Sequence, residues 1–100
     1  MEKTIVVVCD NKNCSNLLIE AGKELNINIK CETQNGEKIS NELSVNEINS
    51  SVAVLFAVDR AIEEIEKIER FIDFEYYEVE PKYILSDAKS VLKEIITDIN

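Results

Sequence analysis

Ile5-Val6-Val7-Val8-Cys9-Asp10-Asn11-Lys12-Asn13-Cys14-Ser15 is the stretch on which the fold turns. Its first half is β-branched, uncharged and apolar on both faces, the composition of a central parallel strand buried from two sides. The polar residues after Cys9 then make a turn before a helical pattern begins. In open α/β sheets, ligands bind in the crevice beyond the carboxyl ends of the strands. A helix N-terminus placed there offers unpaired N–H groups to an anion. Cys9 stands at that mouth and is the candidate chemical residue of the chain.

Working outward, the spacing predicts a helix over 15–25, with Leu17, Leu18, Ala21 and Leu25 on one face and Glu20, Lys23 and Glu24 elsewhere. Asn26 reads as its C-terminal stop. Residues 27–33 alternate apolar and polar, the mark of a half-buried strand at an edge, with Cys31 and Ile29 facing inward. Gln34-Asn35-Gly36-Glu37 reads as a turn. Ser44-Val45-Asn46-Glu47 is a capping box that opens a short helix ending near Asn49.

Val52-Ala53-Val54-Leu55-Phe56-Ala57-Val58 is the second fully apolar run and hence the second central strand, with Asp59 at its end facing the same crevice as Cys9. Asp59 itself suits a turn or cap better than catalysis. Over 60–71, Ile62, Ile65 and Ile68 share one helical face. Glu63 with Lys67 and Glu66 with Arg70 form i,i+4 pairs on the other, which predicts a solvated surface helix. Residues 75–79 form a short last strand stopped by Pro81. From an N-cap at Ser86, the residues Ala88, Val91, Leu92, Ile95, Ile96 and Ile99 repeat at helical spacing. The order βαβαβαβα with short connections predicts an α/β fold, a parallel sheet with helices on both faces.

Composition narrows the function. Residues 1–100 suffice for one domain, and none of its apolar runs approaches the roughly 20 residues that span a bilayer. The start shows no cleavable secretory pattern, so the cytoplasm is the expected location. A net charge of −9 repels nucleic acid and anionic membranes and attracts a basic partner surface. Cysteines at 9, 14 and 31 make no even framework, and with no histidine and no Cys-x-x-Cys a structural zinc site is not expected.

The segment Ala21-Gly22-Lys23-Glu24-Leu25-Asn26-Ile27-Asn28-Ile29-Lys30-Cys31-Glu32-Thr33-Gln34 resembles the helix-one-to-strand-two segment of the fructose-type enzyme IIB domains of the bacterial phosphoenolpyruvate-dependent sugar phosphotransferase system. Its Glu-Thr-Gln ending is the most specific part. Asn41-Glu42-Leu43-Ser44 through Ile48, Ala53 through Asp59, Glu69-Arg70-Phe71, Tyr77-Glu78-Val79 and Val91-Leu92 resemble later segments of that family in the same order. The resemblance covers nearly the whole chain. It implies an open four-stranded parallel sheet, a three-layer sandwich of the flavodoxin or Rossmann kind. It also implies a cysteine after the first strand that takes a phosphoryl group from a phosphohistidine of the IIA component and passes it to a fructose-like sugar bound by the membrane IIC component. The matching residue is Cys9, with Asp10, Asn11, Lys12, Asn13, Cys14, Ser15 and Asn16 as the phosphate-binding loop. On this basis the chain would be a phosphotransferase component without a cofactor. It would be a monomer that meets IIC at the inner face of the membrane without inserting.

The chemistry suits that position, since a thiolate attacks phosphorus and nearby helix N–H groups lower a cysteine pKa and cradle phosphate oxygens. A tyrosine-phosphatase cradle needs Arg at the sixth position after Cys, and here that residue is Ser15. The loop departs from the family's pattern, roughly Cys-Pro-Thr-Gly-Ile-Ala-His-Thr, in lacking Pro, Gly and His. The span from Cys9 to Glu32 is also shorter than the family's by more than a helical turn. Asn11 and Asn13 are the residues best able to stand in for Gly at positive φ. Asp10 beside the thiol raises its pKa and repels phosphate, with Lys12 the nearby cation to compensate. Two further readings stay open at this point: a catalytically silent module that binds IIA- or IIC-like partners, and a thiol-redox protein using Cys9 and Cys14.

Overall fold

A computed structural model describes residues 3–35, 38–59, 61 and 64–99 of the chain. The elements run β1 (Lys3–Cys9), α1 (Lys12–Leu25), β2 (Ile27–Asn35), β3 (Lys38–Ser40), α2 (Val45–Asn49), β4 (Ala53–Ala57), a 3₁₀ turn (Ile68–Arg70), β5 (Tyr76–Glu78) and α3 (Pro81–Ile99). They build one sheet in the order β3-β2-β1-β4-β5. β1 lies parallel between β2 and β4, with Cys9 flanked by Thr33 and Ala57, and β5 pairs parallel with β4. The chain leaves β1 toward β2 and returns on its other side as β4, so the topological switch falls between β1 and β4.

The expected four-stranded parallel sheet therefore becomes a five-stranded mixed one. Lys38–Ser40 pairs antiparallel with β2, Gln34 opposite Ile39, so only residues 33–35 of β2 are covered on that side, and Gln34 and Asn35 belong to the strand rather than to the expected turn. A three-residue strand is too short to carry a period that sequence could show. Asn35 and Lys38 close the pairing, and Gly36 and Glu37 of the expected turn lie outside the described residues.

Alternation along β1 divides the core in two. Ile5, Val7 and Cys9 face α1 and α3, against Leu18, Ala21, Ile84 and Leu92. Val6 and Val8 face the other layer, against Leu43, Ile48, Phe56 and Phe71. Ala21 and Leu18 are buried as expected, but Leu17 is 36% exposed, and the helix begins three residues earlier than its spacing suggested, which brings Cys14 onto the buried face one turn before Leu18. Asn26 ends α1 in the left-handed conformation (φ 59°), its N–H donating to Gly22 O and Lys23 O. Both halves of the Ser44–Glu47 capping box form.

The second face corrects the sequence in one more place. Residues 64–74 do not form the solvated α-helix expected over 60–71. They run as turns around the 3₁₀ piece, with Lys67 left-handed at φ 56°, and Arg60, Ile62 and Glu63 lie outside the described residues. Tertiary charge pairing overrides helical pairing here. Arg70 turns inward to Glu32, with Nη1–Oε1 at 2.6 Å and Nη2–Oε2 at 2.9 Å, and Glu32 exposes no surface. Leu43 N–H (2.8 Å) and Gln34 Nε2 (2.7 Å) complete the carboxylate's bonds, and Gln34 also bonds the Glu66 backbone through both ends of its amide. Burial pushes the Glu32 carboxyl up, but the bonds from Arg70, Gln34 and Leu43 outweigh it and hold the pKa below the ordinary value.

The last helix also starts differently. Pro81 opens it at a position where a missing N–H costs nothing, and Asp87 (φ −162°, ψ 82°) interrupts it. Asp87, not Ser86, caps the second part by accepting from Ser90 N–H and Oγ.

Two stability outcomes follow. A Cβ on Gly22 would lie 2.5 Å from Ile29 Cγ1 and 2.7 Å from the Ile27 carbonyl. Gly22→Ala should therefore cost about 1–3 kcal/mol net in urea unfolding despite its helix propensity. Arg70→Met should cost about 3–5 kcal/mol at neutral pH by stranding the Glu32 charge. Because the folded Glu32 pKa is depressed, its contribution is present above the unfolded carboxylate range and is lost as pH falls through the folded value. Denaturant unfolding at neutral and acid pH should thus show the variant's deficit shrinking in acid. A deficit independent of pH would contradict the pairing.

Candidate functional site

The strand ends at the switch point form an open crevice of about 570 Å³ bordered by Asp10, Asn11, Gln34, Asn35, Asp59 and Lys82. Cys9 ends β1 directly beneath it, and only Asp10 and Asn11 separate it from α1. Asn11 is the N-cap: its Oδ1 accepts from Cys14 N–H at 2.9 Å and its carbonyl from Ser15 N–H at 3.5 Å. Its φ is −153°, and among the described residues only Asn26, Asn41 and Lys67 are non-glycine residues with positive φ. Asn11 and Asn13 therefore do not replace Gly in a left-handed cradle. The turn is too short for one, and the asparagine is better used as a cap.

The expected loop is thus mostly helix. Lys12, Asn13, Cys14, Ser15 and Asn16 form its first turn and a half, with Lys12, Asn13 and Asn16 exposed and Cys14 and Ser15 buried. The N–H groups of Lys12 and Asn13 are the first-turn donors that the Asn11 cap leaves over. Asp10 bridges the mouth, its Oδ2 accepting from Asp59 N–H at 3.3 Å and its Oδ1 from Asn11 Nδ2 at 3.1 Å. Asp59 thus serves as a turn residue at the crevice.

Cys9 exposes no surface and packs in the core with Val7 and Leu18. Its neighbour Cys31 on β2 is the largest influence on its thiol. Together with burial and the charges of Cys14 and Asp10, it pushes the pKa far above the ordinary value. Burial also raises Cys14, with Asn11 opposing and Asp10 and Asp59 adding to the rise. Cys14 Sγ donates to Pro81 O at 3.9 Å, and all three cysteines, Cys9 and Cys14 of the redox reading among them, are free thiols. Cys31, half-buried beside the core, is held below the ordinary thiol value by the neighbouring Cys9 thiol and, less, by Ser15, against the burial that opposes them. The sequence did not reveal this Cys9–Cys31 proximity, because it depends on the parallel register, which sets Cys9 opposite Thr33 and Cys31 opposite Val7 and so makes the two thiols diagonal neighbours on one face. Among the described residues no three Cys, Asp or Glu side chains converge where a metal ion would sit.

An open α/β sandwich with a cysteine at the end of its first strand, followed after two residues by a helix start, defines the class: a three-layer α/β domain with a thiol at its topological switch point. Comparison with solved structures finds particular proteins to which the chain is similar. It is similar to the enzyme IIB subunit of the phosphotransferase system from Escherichia coli K12, at 25% identity and TM-score 0.87 over 99% of this chain and 95% of that one. It is likewise similar to a domain of the fructose-specific IIABC component from Borrelia burgdorferi, at 25% identity and TM-score 0.82 over 94% and 93% of the two chains. A predicted fructose-specific IIB from Escherichia coli, at 17% identity and TM-score 0.86 over 98% and 90%, shares the fold. No protein-family model and no curated protein sequence matches the chain. The resemblance to fructose-type IIB domains read from sequence thus extends to the whole fold.

The thiol environments have a measurable consequence. In native protein at neutral pH, iodoacetamide should modify Cys31 first, with Cys9 and Cys14 slower by at least about 100-fold because local opening must precede their reaction. Peptide mass mapping over time checks this, and fast labelling of Cys9 would contradict its burial.

Proposed function

We propose that this chain is a fructose-type IIB component of the phosphoenolpyruvate-dependent sugar phosphotransferase system, meeting IIA and IIC components at the strand-end crevice. The whole chain acts as one IIB domain, a cytoplasmic monomer that works at the inner face of the membrane when engaged with IIC. The supporting observation is the near-complete overlap with enzyme IIB structures, together with Cys9 at the end of β1 below the first turn of α1. No helix among the described residues is long and apolar enough to cross a membrane.

Phosphoryl transfer through Cys9 is the activity this position offers. The Sγ thiolate attacks the phosphorus of a IIA phosphohistidine, the S–P bond forms as the P–N bond breaks, and the histidine nitrogen recovers a proton. A hydroxyl of the fructose-like sugar held by IIC then takes the phosphoryl group. The S–P bond breaks and the hydroxyl proton is released as Sγ returns to thiolate. This sequence requires the Asp10–Asn11 turn to lift, exposing Sγ and turning the Lys12 and Asn13 N–H groups onto the phosphate.

A second reading is favoured by that same cover. With Cys9 sealed and protonated, Asp10 across the mouth and no cradle above it, a chain that keeps the IIB docking surface and has given up transfer fits the resting geometry. The redox alternative draws no support from the structure, in which Cys9 and Cys14 are both buried free thiols.

Supplying a cognate IIA with the upstream phosphotransferase proteins and phosphoenolpyruvate, and recording intact mass for wild type, Cys9→Ser and Cys14→Ser, decides between them. The transfer role expects one phosphoryl adduct, absent only from Cys9→Ser. Wild type without an adduct, but retaining IIA in a binding assay, supports the silent module and sinks transfer.

A further inference from the structure

Away from the crevice, β5 forms the far edge of the sheet. Val54 N–H donates to Glu75 O at 3.2 Å and Val79 N–H to Phe56 O at 3.0 Å, so the backbone groups of 75, 77 and 79 face β4. By the two-residue alternation, the N–H and C=O of Tyr76 and Glu78 face outward, with no strand beyond them among the described residues. Beside this edge runs a groove of about 690 Å³ between β5 and α3. Its inner surface is apolar, formed by Leu55, Val79, Val91 and Ile95, with the half-exposed Tyr83 ring at its border.

The border is of one sign. Glu78, Asp87, Glu94 and Asp98 line the groove, and its lining among the described residues includes no Lys or Arg. Asp98 accepts from Tyr77 OH and Asp87 caps Ser90, while Glu78 and Glu94 have no partner among the described residues. Of the nearby lysines, Lys82 is engaged by Glu80 and lies over the Tyr83 ring at 5.4 Å, and Lys89 is engaged by Glu24. Lys93 and Lys89 stand outside the lining but near enough to help hold the Asp87 carboxyl below its ordinary value after its bonds to Ser90, which leaves Glu78 and Glu94 as the carboxylates without a partner among the described residues. An adjoining concavity with Asp59, Glu78 and Glu80 extends the acidic border toward the strand ends.

We infer that this edge and groove receive a basic, extended segment of a partner protein. The segment adds a strand to β5 and sets alternate aliphatic side chains into the groove on the Tyr77–Val79 face. Its intervening Lys or Arg residues then lie on the other face beside Glu78, while Glu94 on the groove side attracts the segment's overall positive charge. A second copy of this chain does not fit. Edge-to-edge pairing would set Glu75, Glu78 and Glu80 against their equals in two molecules each carrying a net charge of −9. The segment's chemistry is therefore cationic, alternating with aliphatic residues.

The test uses the full chain, labelled with ¹⁵N, at low ionic strength. A nine-residue peptide of alternating Lys and Val should shift the amides of Tyr76 and Glu78 and the groove face of α3, and a Glu/Val counterpart should not. N-methylation of alternate peptide residues, tried in both phases, should abolish binding in the phase that blocks the pairing edge. Glu78→Lys with Glu94→Lys should weaken it at least about tenfold. Equal binding by all peptides, shifts confined to the strand-end crevice, or no shift at Tyr76 and Glu78 would overturn the proposal. If the double variant fails to fold, the N-methyl series on wild type still decides. Cys9 has no part in this surface, so either result leaves the phosphoryl-transfer assay undisturbed.

Discussion

The Glu32 carboxylate, with no exposed surface, is the charge on which one face of the sheet depends. A carboxylate removed from water is costly unless every lone pair is used. Arg70, Gln34 and the Leu43 N–H use them. In doing so they tie the end of β2 to the approach to α2 and to the irregular crossover between β4 and β5. Phe71, carried beside Arg70, then seals Phe56 edge to face at 5.4 Å. A segment with little regular secondary structure can thus cover a core because its hydrogen bonds end on a buried, fully satisfied anion.

On the other face, the decisive constraint is length. Two residues join β1 to α1, and Asn11 spends its side chain and carbonyl on closing the helix. Capping and cradling draw on the same first-turn donors. A turn this short serves the cap, and the thiol beneath it stays covered. The features that make the helix start stable are those that withhold Cys9 from an incoming phosphate.

Much of this was legible along the chain. The two apolar runs, Asn26 and the Ser44 capping box each report a local preference that tertiary packing reinforces, whereas the alternation read in β2 gives way to the buried run Glu32, Thr33 and Gln34. What escaped was set by partners distant in sequence. Arg70 obeyed Glu32 rather than its helical neighbour Glu66. β3 exists because β2 offers it a ladder, and Cys14 joined the buried face because the cap moved forward to Asn11. Cys31 was legible as an inward residue, but its closeness to Cys9 follows only from the parallel register.

By itself the sequence determined the α/β alternation, the central place of β1, and the position of Cys9 at a strand end, since periodicity and β-branching are properties of neighbouring residues. Only the tertiary structure decided that the thiol is buried, that the mouth above it is bridged by Asp10, and that β5 presents an open acidic edge. Burial and charge environment are sums over residues far apart in the chain. No local pattern contains them until the fold brings those residues together.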